Sequence, residues 1–489
     1  MLTFADYVVV VIYGISMLVL GFIAKSKVKT VEDYFAGGHG VPWWIAAISH
    51  HVAGYSAVVF VGFASQAYNA GFSIWSLFAI PTFCAMMIGA FVWAPRWARL
   101  KVFSAVEYLE ERYNNVIRQV IAWGGLGVKF IDEGVKLYAL SVVVNVCTGW
   151  PIGPVIVGVG LVTIIYVLIG GLWATMLTDM AQFIVQVGFT VLLVPFVLNA
   201  VGGWDAMWEQ LPPESGRLFS SAIPAEMVFV YLIVATLSYN GGTWGLAQRF
   251  YSIGKPRDAQ KAALLSALLF LVYPVVLFIP AWAGPILLRA GEIASPEHAY
   301  ILVAAKVLKG VAPGLIGLLV ISMFSATMSM ISSDLNSLAA VITKDIYQRN
   351  FNPNAANLHL LRVGLVATTV LGFFMIASAM MVLSNPSMER AFQVTIQWFG
   401  ALLGPVTIPL LFGMLSRRSS WRGALASVIA GFATFAILRS LTNQFAIYTG
   451  GELLVSFLVF FGEGYFFGPT EAEKEKISRF FHRLEETKL

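Results

Sequence analysis

Cysteine is nearly absent from this 489-residue chain, which has two, Cys84 and Cys147. Both fall inside long apolar runs, where a thiol behaves as a small hydrophobe, so neither a disulfide framework nor a cysteine metal site is expected. Charge is scarce as well: 12% of residues are charged against 58% hydrophobic, and the mean hydropathy is +0.78. That balance excludes a soluble domain of ordinary composition. No His-Asp or paired-carboxylate constellation links the runs and no metal-ligand spacing recurs, which leaves an intramembrane enzyme without chemistry. The net charge of +5 follows from the basic-residue distribution described next and implies no nucleic acid partner.

What the chain does contain is a succession of apolar runs of about 20 residues or more, each long enough for a helix to cross a hydrocarbon core of roughly 30 Å. Thirteen such spans are expected, giving an all-α polytopic membrane protein surrounded by lipid bilayer. The first, 4–24, has no basic stretch before it and no small-residue cleavage site, and Lys25, Lys27 and Lys29 follow it, so it reads as a retained helix. The 31 Lys and Arg are unevenly placed. With the N-terminus outside, 23 of them, Arg249 included, fall in inner loops and the C-terminal tail, six fall outside, and Lys129 and Lys136 lie within a span. Cytoplasmic loops retain positive charge, so the N-terminus is expected outside and the C-terminus in the cytoplasm of a plasma or inner membrane. The longest outer loop, 202–224, holds Pro212-Pro213 with Asp205, Glu209 and Glu214 and reads as a solvated connector.

Two spans are interrupted by small residues: Ala53-Gly54 within 43–70, and Gly241-Gly242 with Gly245 within 225–250. Grouping 43–201 and 225–415 as five helices each places both breaks in the first helix of a group. Five is odd, so the second group inserts upside down relative to the first. Segment 1–42 then adds one N-terminal helix and a loop, and 416–489 adds two C-terminal helices and a cytoplasmic tail. Glycine also serves close helix packing. Paired interruptions in inverted repeats, however, point to a midplane binding site, because unwound backbone offers free carbonyls and amides.

The polar residues inside spans supply matching chemistry. Asp179 lies in an otherwise apolar run, and a carboxylate at bilayer depth usually faces a cavity or an ion path. The span 311–342 and its continuation carry Ser322, Ser325, Thr327, Ser329, Ser332, Ser333 and Ser337. Hydroxyls and freed carbonyls suit a hard cation such as sodium, although such hydroxyls also bond their own backbone one turn back. Ala326 and Ser329 share a helix face. His50 and His51, one turn before the first break, offer either proton coupling or packing. Asp132 stands beside Glu133, with Lys129 and Lys136 at helical spacing. These four pair along one face as readily as they meet a solute, Asp132 suiting an amine or hydroxyl and the lysines a carboxylate.

These motifs resemble the solute:sodium symporter family, which includes the sodium/glucose and sodium/proline transporters. The likeness rests on Asp33-Tyr34-Phe35 with Gly37, on Phe60, Gly62 and Tyr68, and on Gly170-Gly171-Leu172 with Thr178-Asp179 and Gln182. Gln248-Arg249, Leu335-Asn336-Ser337 and Asp345-Ile346-Tyr347 complete it, while His39 stands where the family usually has Arg. The resemblance implies a LeuT-like 5+5 inverted-repeat core with one extra N-terminal and two extra C-terminal helices. It implies sodium-coupled import of a small organic solute, a sugar, sugar acid, amino acid or carboxylate, by alternating access. The main sodium would meet the carbonyls of Val52, Tyr55 and Ala326 and the hydroxyl of Ser329, with Asp179 nearby. Met330 replaces a second hydroxyl common in the family, which implies one sodium per cycle. Positions that contact sugar in relatives align with Val59, Phe78, Asp132 and Phe270, and three apolar residues of four argue against the same hexose mode. Ser56, Trp244, Gln393 and Gln397 are further cavity candidates. Proton coupling through Asp179 or His50 is the alternative, and a membrane sensor on a transporter core is a weaker one. No obligate protein partner is expected.

Overall fold

The computed structural model describes residues 2–26, 30–289, 291–385 and 400–486. Among them every regular element is helical. The principal helices are α1 (Phe4–Lys25), α2 (Trp43–Val52), α3 (Ala64–Ala70), α4 (Ser73–Val92), α5 (Asn115–Thr148), α6 (Ile152–Val201), α7 (Ala225–Leu237) and α8 (Trp244–Tyr251). They continue as α9 (Pro256–Trp282), α10 (Leu315–Ala340), α11 (Asn357–Ser384), α12 (Gly400–Phe412), α13 (Trp421–Leu441), α14 (Phe445–Phe466) and α15 (Glu471–Glu486).

Nine helices among the described residues are long and apolar enough to cross a membrane. Each of the four other expected spans departs for its own reason. The spans 43–70 and 225–250 are broken in the middle, into α2 and α3 and into α7 and α8. The span 116–148 is the continuous helix α5, which buries Lys129, Asp132, Glu133 and Lys136 and is less apolar for it. The span 391–415 lies partly outside the described residues, and its remainder forms α12.

Both breaks fall where small residues relax the helix. α2 stops at Val52, residues 53–56 are non-helical, and a π-helical turn over Val59–Phe63 leads into α3. α7 passes into a second π-helical turn over Ser238–Gly242, and Thr243 is extended before α8 restarts. Wide turns of this kind recur at functional sites. α6 holds two spans, Ile152–Ile169 and Gly171–Val201, divided at Gly171. Its φ of +55° favours glycine, and a Cβ there would stand 2.6 Å from the Tyr34 ring, so the turn and the Asp33-Tyr34-Phe35 motif are mutually fitted.

Helix α10 lies centrally against α6, α5 and α1, while α9 lies against α4 and α2. Asp6 Oδ1 accepts the Gly317 amide at 2.7 Å, which ties the start of α1 to the start of α10. The α13–α14 pair packs on α12. Outward faces are apolar: Ile12 and Ile15 on α1, Val366 and Phe373 on α11 and Ile429 on α13 are all exposed. This inversion of the usual surface is what a lipid environment permits. In the 202–224 loop Asp205, Glu209, Pro212, Pro213 and Glu214 are exposed, while a few other residues anchor it to the bundle. Met207 is buried, the Trp208 ring lies 5.4 Å from that of Trp282, and Ser215 O accepts the Phe72 amide at 2.7 Å.

At the end of the bundle where α5 begins, ion pairs join three segments. Arg118 reaches Asp345 through Nε at 2.7 Å and Glu110 at 2.7 Å, while Arg349 holds Glu110 at 2.6 Å. Hydrogen bonding from Arg349, aided by Arg118, pulls the Glu110 carboxyl from 4.5 down to about 2. A depressed carboxylate contributes stability above its ordinary value and loses it as pH falls through the depressed one. E110Q should therefore melt a few degrees below wild type at pH 7. That gap should stay constant from pH 8 to 5 and close as pH falls from 4.5 towards about 2. A gap that persists undiminished at the acid end would show that Glu110 acts through packing and not charge.

Candidate functional site

Asp179, on α6, is fully buried. Its carboxylate accepts Ser329 Oγ of α10 at 2.6 Å, Ser49 Oγ of α2, and Arg249 Nη2 of α8 at 3.0 Å. Arg249 is equally buried and donates further to Ser49 Oγ at 2.9 Å, Gly245 O at 2.8 Å and Ser333 Oγ. Sequence reasoning counted Arg249 among the inner-loop charges; it is instead an interior ion-pair partner, because α8 continues past it to Tyr251 and α10 covers it. Gly245 makes that cover possible, since a Cβ would stand 2.9 Å from Asp334 Oδ1 and 3.1 Å from Ser333 O. The preceding motif residue, Gln248, donates from Nε2 to Phe35 O at 2.6 Å and to Asn336 Oδ1 at 2.8 Å. Residues read as separate motifs thus meet around one helix.

Of the residues expected to hold sodium, Ser329 and Asp179 belong to this ion-pair network. Val52 closes α2, Tyr55 sits in the break, and both are buried, as is Ala326 on α10. The first break is bonded directly to α10: Ala57 N donates to Thr327 Oγ1 at 2.7 Å, and Thr327 Oγ1 donates to Met323 O at 3.0 Å. Ser329 commits its proton to Asp179, which leaves its oxygen lone pairs free for a cation and enriches them in negative charge. Ser332, Ser333 and Ser337 instead bond carbonyls one turn back, at 3.1, 2.5 and 2.9 Å. That is the backbone role open to such hydroxyls.

Between the two breaks lies a central cavity of about 60 Å³, room for a few waters in this arrangement. Ser56, Val59, Phe78 and Asp132 line it, as do Lys136, Thr243 and Met330. Met330 therefore faces the cavity. Trp244 does not line it; its ring packs against Gly125 of α5, and its neighbours Thr243 and Leu246 take the cavity face. Phe270 also lies off the lining, pressed on Gly54 and stacked on Tyr55 at 5.5 Å. Gln393 and Gln397 lie outside the described residues. His50 engages both ring nitrogens, with Ser266 Oγ at 3.0 Å and Tyr239 O at 3.2 Å. His51 packs its ring between Tyr55 and Phe270 at 4.9 and 4.7 Å.

Asp132 belongs to a larger buried cluster that includes one residue sequence reasoning passed over, Asp334 of α10. Lys129 reaches Asp132 and Asp334 at 2.9 and 3.0 Å, and Lys136 reaches Asp132, Glu133 and Asp334 at 2.7, 2.7 and 2.6 Å. Three carboxylate oxygens from Asp132, Glu133 and Asp334 lie within 4.8 Å of one another, a spacing that suits a metal ion. The lysine ammonium groups supply the positive charge there. On its far side, Lys129 and Glu133 line a second cavity of about 340 Å³ beside α10 and α11.

The sequence model of the Sodium:solute symporter family matches residues 34–431. A sodium/glucose cotransporter of Vibrio parahaemolyticus is 26% identical over 478 residues, covering 91% of this chain and 87% of the relative. A sodium/sialic acid symporter of Aliivibrio fischeri is 26% identical over 471 residues, covering 92% and 91%. Among solved structures, the substrate-bound outward-open state of a Na+-coupled sialic acid symporter shares the fold. The TM-score is 0.84 over 96% of this chain and 98% of the other, at 22% identity. The relatives are transporters and not enzymes.

Removing one partner of a buried ion pair strands the other, at a cost of roughly 3–5 kcal/mol, whereas removing both is far milder. R249M should therefore lower the unfolding free energy of the detergent-solubilised protein by about that amount. The double variant D179N/R249M should recover a substantial part of the loss. Additive losses in a double-mutant cycle would mean that the two side chains contribute independently.

Proposed function

Because the chain belongs to the sodium:solute symporter family, we propose that it is a secondary active transporter that uses the inward sodium gradient to import a small organic solute by alternating access. The observation that carries this reading is the junction of the first break with α10. The carbonyls of Val52, Tyr55 and Ala326 and the hydroxyl of Ser329 offer oxygen donors, which a hard monovalent cation prefers. Asp179 orients Ser329, and Arg249 balances the carboxylate so that the locus does not carry a bare buried charge. Sodium held there would draw α2 towards α10 and favour the arrangement in which the central cavity accepts solute.

Met330 turns into the cavity and offers no hard donor, which supports one sodium per cycle. With Arg249 assigned to the interior, 22 of the 23 basic residues assigned inside remain against six outside, and the N-terminus is assigned outside and the C-terminus to the cytoplasm. The repeats 43–201 and 225–415 would rock against each other about the two breaks, with 416–489 outside the core. By linkage, sodium and solute must strengthen each other's binding equally.

S329A removes a charge-polarised ligand worth roughly 1.5–3 kcal/mol, so half-saturating sodium should rise on the order of 10- to 100-fold. Sodium-induced thermal stabilisation of the purified protein should weaken in parallel. An unchanged sodium dependence in both measurements would remove this locus from the mechanism.

A further inference from the structure

We propose that the transported solute carries an ammonium group and that Asp132 receives it at the charged pole of the central cavity. This rests on the reading of that cavity as the solute site. Lys129, Asp132, Lys136 and Asp334 form a closed square in which Oδ2 of each aspartate contacts both lysines. The square is neutral, two charges of each sign. Glu133, held by Lys136, adds a third carboxyl group, so carboxyl groups outnumber the lysines in the cluster.

The lysines are not available to an anion. The three ammonium protons of Lys136 match its three carboxylate partners, all within 2.7 Å. Lys129 is shared between Asp132 and Asp334. A carboxylate arriving from the cavity would have to displace one of the protein's own carboxylates from a lysine. The acceptors, by contrast, are incompletely used: the buried Glu133 Oε2 and Asp334 Oδ1 have no hydrogen-bond partner among the described residues. Both lysine contacts to Asp132 fall on Oδ2, and Asp132 lines the cavity, so its Oδ1 is the acceptor within reach of a bound cation.

The rest of the lining points the same way. Phe63, Phe78, Tyr231 and Tyr239 face the same space, and aromatic faces attract cations, most strongly where water is excluded. An ammonium solute would meet a carboxylate head-on and pack its apolar part against the valines of the wall. A neutral polyol would find one charged pole and few other side-chain partners.

The test uses the purified full-length protein in sodium or potassium. Thermal stabilisation is measured with amino acids and simple amines, with the des-amino carboxylate of each amino acid, and with neutral sugars. The des-amino compounds are smaller than their parents, so size cannot exclude them. Sodium-dependent stabilisation by amine-bearing solutes, lost on removal of the amino group, is the expected result. D132N should weaken it at least tenfold while leaving the solute-free sodium shift intact. E133Q, which alters the cluster without touching Asp132, should weaken it less. If D132N does not fold, D132E serves instead, keeping affinity for amines within a few-fold and gaining none for des-amino compounds. Equal or stronger stabilisation by the des-amino carboxylates or by sugars overturns the proposal and leaves sodium symport standing. Absence of any sodium shift, with or without solute, takes down the transport reading itself.

Discussion

One guanidinium organises the centre of this molecule. Arg249 lies fully buried and bonds Ser49 of α2, Asp179 of α6, Gly245 of its own helix and Ser333 of α10. In a bilayer no water can substitute for any of those partners, so the four segments must arrive together or the charge is stranded. Arginine suits this position because its planar fork addresses several acceptors at once, which a lysine ammonium does in a different geometry. The ion pair is therefore a registration point. It sets how the helix after the second break lies against α10, and through Ser49 it fixes the last turn before the first break.

The two breaks supply the complementary property, freedom of the backbone. Each leaves a short non-helical stretch flanked by a wide turn, and each opens on the same cavity from opposite repeats. Ala57 reaches across to Thr327, so the first break is already bonded to α10 by the protein's own groups, close in sequence to the residues proposed to hold the ion. A cation there adds to an existing seam and has no need to create one. Small differences in binding free energy can then tip the arrangement between its two openings.

Much of this was legible in the residues. The two glycine-containing interruptions appear in the sequence and in the structure at the same places, because glycine's low helix propensity acts locally. Asp179 was visible as a carboxylate in an apolar run. The same test applied to 311–342 would have flagged Asp334, but the serines around it drew the reading towards hydroxyl chemistry. Arg249 was hidden for another reason: it stands next to the expected end of its span, and one residue decides whether a charge counts as loop or interior. Trp244 was misjudged because a break leaves the helical phase after it undefined, so the face of α8 turned to the cavity could not be derived from spacing. The network of Gln248 with Phe35 and Asn336 joins residues more than 80 apart in the chain, a relation no local pattern encodes.

The closed square of Lys129, Asp132, Lys136 and Asp334 also bears on how such a protein can change over generations. Oδ2 of each aspartate is common property of two lysines, and the members lie on two different helices. Exchange of any one member alters the partners of the others at bilayer depth, so a single step towards a new cavity chemistry is constrained by the whole set. Descendants of this sequence should keep the set whole or lose it in matched pairs. Variation in solute preference is then free to accumulate first among the uncharged lining residues, where each replacement stands by itself.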